Sequence, residues 1–170
     1  AKNNPKTQCF GYEPDTPYYD ELMSVIDKEK ISNVTMHPLG IGDGNKIKTP
    51  QGLIDTVTLS QIFEKYSLDP SKRWALKSDC EGGEYSFLTD ESINILKYAD
   101  HLAIEFHVSV ENTNYPGNFF TLNNQLPQSY ENAKNWLIDN FNNSHLILLT
   151  SDGVVSRTYV LISLRVANDK

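Results

Sequence analysis

Trp74-Ala75-Leu76-Lys77-Ser78-Asp79-Cys80-Glu81-Gly82-Gly83-Glu84 is the stretch that decides the fold. A short apolar run at 74–77 passes into acids interleaved with two glycines, and a helical pattern follows over 84–88. A strand that ends in a small acidic turn and leads into a helix is the repeating unit of an α/β domain. Upstream the same unit recurs. Residues 9–12 read as a strand stopped by Glu13-Pro14-Asp15, and a helix opens with Thr16 as cap and Pro17 at its first position. Tyr18, Leu22, Val25 and Ile26 share one face of that helix, a stripe to lay on the sheet. Residues 34–39 read as the next strand, ended by a flexible turn at Gly40, Gly42 and Gly44. A polar excursion over 45–54 and a short edge strand at 55–57 come next. Thr58, with Gln61 three residues on, forms a capping box for a helix over 59–66.

Downstream, helical stretches at 84–88 and 93–98 lead to a strand at 101–106. Residues 109–128 are rich in Asn, Pro and aromatics and have no clear period; a loop of that length is usually functional or mobile. An amphipathic helix over 130–141 turns Ala133, Trp136, Leu137 and Phe141 inward, and apolar runs at 145–149 and 159–166 flank the turn signal Ser151-Asp152-Gly153. The order reads βαβ-βαβ-βα-ββ, with parallel strands first and an antiparallel hairpin at the C-terminal edge. The 74–77 strand is expected near the centre of the sheet.

At 170 residues and 19.3 kDa the chain has room for one domain over 1–170. Its 39% apolar and 22% charged content excludes a disordered tail. A net charge of −7 argues against nucleic acid and anionic membrane surfaces as main partners. No apolar run approaches the roughly 20 residues of a membrane span. Cys9 and Cys80 make no CxxC pair and are expected as buried free thiols. Two glycosylation-type triplets occur, Asn33-Val34-Thr35 and Asn142-Asn143-Ser144, and they leave the compartment open.

In open α/β sheets ligands bind beyond the carboxyl ends of strands. Glu13 stands at the first such end, where a carboxylate matches a vicinal diol or simply begins a turn. At the second, the glycines let backbone approach a flat ligand and Asp43 offers an acceptor, or the segment is an ordinary turn. The third holds Asp79, Glu81 and Glu84 within six residues. Their mutual repulsion is costly unless the cluster meets a cation, a sulfonium or a proton in transit, and a helix N-terminus relieves only part of it. At the fourth, Glu105-Phe106-His107 offers an imidazole base. Asp79, Glu81 and His107 could also converge on a divalent ion, which would suit a metal-dependent hydrolase.

These stretches, in order, resemble the FkbM-type methyltransferase family. The matching pieces are Phe10-Gly11-Tyr12-Glu13-Pro14-Asp15, Val34-Thr35-Met36-His37-Pro38-Leu39-Gly40-Ile41-Gly42-Asp43, Thr56-Val57-Thr58-Leu59, Leu76-Lys77-Ser78-Asp79-Cys80-Glu81-Gly82-Gly83-Glu84 and Ala103-Ile104-Glu105-Phe106-His107. The resemblance covers residues 8–107. It implies a Rossmann-like class I methyltransferase fold with a mostly parallel sheet. It also implies S-adenosylmethionine as cofactor, with Glu13 on the ribose hydroxyls, Ile41, Gly42 and Asp43 along the adenine, and Asp79 near the methionine part. Family members methylate hydroxyls of small molecules or glycans, for which Asp79, Glu81 or His107 is the expected base. The family's opening strand and glycine-rich loop have no counterpart before Glu13. The domain is therefore expected to be N-terminally incomplete and its first strand absent, with a missing segment or a partner completing the sheet. The alternative is a non-catalytic Rossmann-like interaction module that has lost cofactor binding and uses residues 109–128 for contact.

Overall fold

The computed structural model describes residues 1–49, 52–80, 83–107, 130–151 and 158–165. They form two compact units, Ala1–Val57 and Thr58–Lys170.

The first unit opens with strand β1 (Cys9–Tyr12), helix α1 (Thr16–Lys28) and strand β2 (Val34–His37). β1 and β2 pair in parallel, Cys9 opposite Val34 through Tyr12 opposite His37. This is the expected βαβ unit, but the helix differs from its sequence reading in two ways. Asp15, not Thr16, is the cap: its backbone is extended and Oδ1 accepts from Tyr18 N at 3.3 Å. The buried face is also rotated by one residue. Tyr18, Leu22 and Val25 are 63, 42 and 47% exposed, while Tyr19, Met23 and Ile26 are half-buried. The helix carries two adjacent apolar rows, and the later one faces inward. Beneath it, Met36 fills the space where a side chain at Gly11 would stand.

Strand β3 (Gly40–Ile41) replaces the expected flexible turn and pairs in parallel with β6 (Thr56–Val57). Between them β4 (Ile47–Thr49) and β5 (Gly52–Ile54) form an antiparallel hairpin where a polar excursion was expected. Gly52, at φ 131°, starts the returning strand in a conformation that side-chain-bearing residues rarely adopt.

In the second unit, helix α2 (Leu59–Lys65) has the anticipated capping box: Gln61 N donates to Thr58 Oγ1 at 3.1 Å, and Thr58 N donates to Gln61 Oε1 at 2.9 Å. Strand β7 (Ala75–Ser78) leads to helices α3 (Glu84–Phe87) and α4 (Asp90–Leu96), then to strand β8 (His101–His107). Thr89 caps α4 through Ser92 N. Helix α5 (Tyr130–Phe141) precedes strands β9 (His145–Ser151) and β10 (Thr158–Arg165). The sheet order is β7-β8-β10-β9. β7 and β8 run parallel, while β10 is antiparallel to both its neighbours, so the C-terminal hairpin is as anticipated. Among the described residues β7 is an edge strand of this sheet rather than a central one, and the sheet is mixed rather than mostly parallel.

The core of this unit follows from period-2 and period-3.6 patterning. Leu102 and Ile104 alternate inward from β8 and are fully buried, beneath Phe87, Leu96, Leu137 and Phe141 from the helices. Each such side chain contributes about 1.5–3 kcal/mol by leaving water. His145 at the head of β9 is buried too: Nε2 lies 3.0 Å from Ala99 O, Nδ1 lies 2.8 Å from Ser144 Oγ, and the ring meets Phe141 edge-on. Among the described residues no helix is long and apolar enough to cross a membrane.

Candidate functional site

In the first unit the chemistry gathers where the parallel strands end. Past the last β1–β2 pair, Glu13 N donates to His37 O at 3.0 Å and carries the ladder one residue further. The Glu13 carboxylate then turns toward the helix, and Oε1 accepts from Asp15 N at 2.9 Å. Asp15 in turn caps α1. Two successive side-chain turns thus fix the Glu13 rotamer beside the positive end of a 13-residue helix. Oε2 accepts from no donor among the described residues. Tyr12 and His37 stack alongside, with ring centroids 4.9 Å apart and planes at 27°.

The second strand end is built differently. Gly40 N and Gly42 N donate to Asp55 O and Val57 O, each at 2.9 Å, so the β3–β6 ladder runs through Ile41 and Gly42. Gly42 is buried. A Cβ there would stand 2.8 Å from Thr56 Oγ1 and 2.9 Å from Thr56 Cβ, which only glycine tolerates. Thr56 Oγ1 itself donates to Asn45 O at 2.6 Å. Asp43 is exposed, and both its carboxylate oxygens are engaged by Asn45: the backbone N at 3.0 Å and Nδ2 at 3.1 Å. Packing and turn formation therefore account locally for Gly42 and Asp43.

In the second unit, Asp79 follows β7, and Lys77 Nζ binds its Oδ2 at 2.9 Å in an exposed pair. The sequence reading counted the repulsion among the acids but overlooked this cation two residues upstream. Period-2 alternation on a strand places both on one side, and that signal was available. Ser78 is buried, with its Oγ 3.1 Å from Cys80 Sγ. Cys80 as a residue is exposed, against the expectation of a buried thiol, and Cys9 is half-buried. The Cys80 sulfur is nevertheless turned against the protein. Burial there pushes its thiol above the ordinary value, with Ser78 opposing and the Glu84 charge adding.

Gly83 N closes a turn on Cys80 O at 2.8 Å, and Ser86 returns to Gly83 O through both its N and Oγ. Glu84 begins α3 and is fully buried. Glu81 and Gly82 lie outside the described residues, as do the loop 109–128 and the side chain of His107. Glu105 is half-buried in β8, and His107 ends that strand, opposite Thr158. Among the described residues no three His, Cys, Asp or Glu side chains are placed to hold a metal ion.

The structure of the methyltransferase FkbM from Methylobacillus flagellatus shares this chain's fold, with a TM-score of 0.57 at 20% sequence identity. The match covers 92% of this chain and 36% of that one, so the chain spans about a third of the length of its structural neighbour. No family model matches the chain, and no curated protein matches it. The fold is thus methyltransferase-like, a mixed α/β architecture with short parallel sheets.

Proposed function

We propose that the chain is part of a Rossmann-like, class I methyltransferase of FkbM type, which uses S-adenosylmethionine to methylate a hydroxyl on a small molecule or glycan. The observation that carries this reading is Glu13, which stands at the carboxyl end of a parallel strand pair with its carboxylate already oriented by Asp15 N–H. A carboxylate oriented in this way fits a vicinal diol, because little rotamer freedom is left to lose when the ligand arrives. Ile41, Gly42 and Asp43 would border the adenine through backbone and the remaining lone pairs of Asp43. Asp79 would lie toward the methionine end.

S-adenosylmethionine supplies an electrophilic methyl on a sulfonium. The chain's own task is to hold acceptor and donor in line and to take the acceptor's proton. Asp79, Glu81 and His107 are the residues proposed for that proton.

The test is calorimetric titration of the full-length protein with S-adenosylmethionine, wild type beside Glu13→Ala. A charge-assisted hydrogen bond of about 1.5–3 kcal/mol predicts a Kd raised about 10- to 100-fold. Equal binding by a folded variant would refute the assignment. The exposed apolar row Tyr18, Leu22 and Val25 favours a second reading, a non-catalytic interaction module. In that case the wild-type protein shows no heat with the cofactor at all.

A further inference from the structure

The two Asn-x-Ser/Thr triplets take no part in the methyltransferase reading, and the fold treats them in opposite ways. Asn33 is 9% exposed. Its Nδ2 faces three backbone carbonyls, Ala1 O at 3.3 Å, Asn4 O at 3.0 Å and Thr7 O at 2.6 Å. Those carbonyls belong to successive turns closed by Asn4 N on Ala1 O and Thr7 N on Asn4 O. A substituent on this nitrogen would remove one of its two protons and occupy the space where the carbonyls converge.

Asn142 is the first residue after α5. Its backbone N donates to Ile138 O at 3.0 Å and completes the last helical turn, and its side chain is exposed, as is Asn143. Ser144, the hydroxyl residue of the triplet, is turned inward, with Oγ 2.8 Å from His145 Nδ1. The asparagine therefore points to solvent while the hydroxyl is taken up by the fold. This is the arrangement expected when a modification made on the extended chain is retained after folding.

We infer that Asn142 is an N-linked glycosylation acceptor and that Asn33 is excluded from this role in the folded protein. The donor class is an oligosaccharide carried on a polyprenyl diphosphate. A bond forms between Asn142 Nδ2 and the anomeric carbon, and the bond from that carbon to the diphosphate oxygen breaks. The diphosphate leaves with the electron pair, and the amide gives up one proton and keeps the other. A sugar on Asn142 displaces no hydrogen bond among the described residues, whereas one on Asn33 disturbs its contacts with the carbonyls of Ala1, Asn4 and Thr7.

The test is secretion of the full-length protein from a eukaryotic host, followed by glycopeptide mapping and treatment with peptide N-glycosidase. The expected result is a glycan on the peptide containing Asn142, absent in Asn142→Gln and retained in Asn33→Gln. Mapping of the wild type alone suffices should a variant fail to fold. A secreted wild type without a sugar at Asn142 would overturn the inference. So would one that carries its sugar at Asn33.

Discussion

Replacing Gly42 with alanine tests whether this glycine serves packing or a ligand. The new methyl would stand 2.8 Å from Thr56 Oγ1, 2.9 Å from Thr56 Cβ and 3.0 Å from Thr56 Cγ2. Thr56 Cβ is bonded directly to the backbone, so rotating that side chain does not relieve the 2.9 Å contact. Overpacking of this kind costs about 1–3 kcal/mol. Moving Thr56 also strains its 2.6 Å bond to Asn45 O, worth about 1 kcal/mol net. Against this, alanine restricts the unfolded chain and returns about 0.4–1 kcal/mol. The net expectation is a loss of about 1–3 kcal/mol. At a urea dependence of about 1–3 kcal/mol per molar, the midpoint followed by circular dichroism falls by about 1 M. In a double-mutant cycle Thr56→Ala removes Oγ1 and Cγ2, and the double variant then loses less stability than the sum of the two single losses. A Gly42→Ala protein that unfolds at or above the wild-type midpoint would refute the packing argument. If that variant had also lost cofactor affinity, the glycine would be assigned to the ligand.

His145→Phe keeps the ring volume but leaves the carbonyl of fully buried Ala99 without its donor, so a loss of about 1–3 kcal/mol is expected by urea unfolding. Lys77→Ala removes only an exposed ion pair, 70 and 36% accessible at its two ends, and should shift stability by no more than about 0.5 kcal/mol. Cys80 should alkylate more slowly at pH 8 than a free thiol in solution, its rate still climbing above the ordinary thiol range. The same raised thiol has a stability consequence of definite sign. The fold favours the neutral form, so that contribution is whole below the unfolded thiol's pKa of about 8.5 and declines as pH rises through the folded value. Alkylation of Cys80 at the rate of a free thiol would contradict the burial of its sulfur.

Local signals in this chain were legible and distant ones were not. The β1 bounds, the Thr58–Gln61 capping box and the span of α5 follow from patterns complete within a dozen residues. The antiparallel β9–β10 hairpin was legible from two apolar runs and a turn signal. The strand character of Gly40–Ile41 was not, because it depends on pairing with Thr56–Val57 across an intervening hairpin. That hairpin carries Lys48, Thr49 and Gly52, which read as polar loop until each residue has a partner opposite. The rotated face of α1 shows a different limit: where two apolar rows lie side by side, periodicity alone does not choose between them. Among the site residues, the placement of Glu13, Asp43 and Asp79 at strand ends was readable. Their immediate partners Asp15, Asn45 and Lys77 went unnoticed, although each lies two residues away.

The buried imidazole at the head of β9 has its protonation pattern dictated by its neighbours. Ala99 O can only accept, so the ring hydrogen must reside on Nε2, and Nδ1 is left bare to receive the Ser144 hydroxyl proton. That hydroxyl has a second acceptor within reach, Phe141 O at 3.2 Å. A single rotor thus reaches two acceptors, one on the ring and one at the end of α5, and so ties the turn between helix and strand to both.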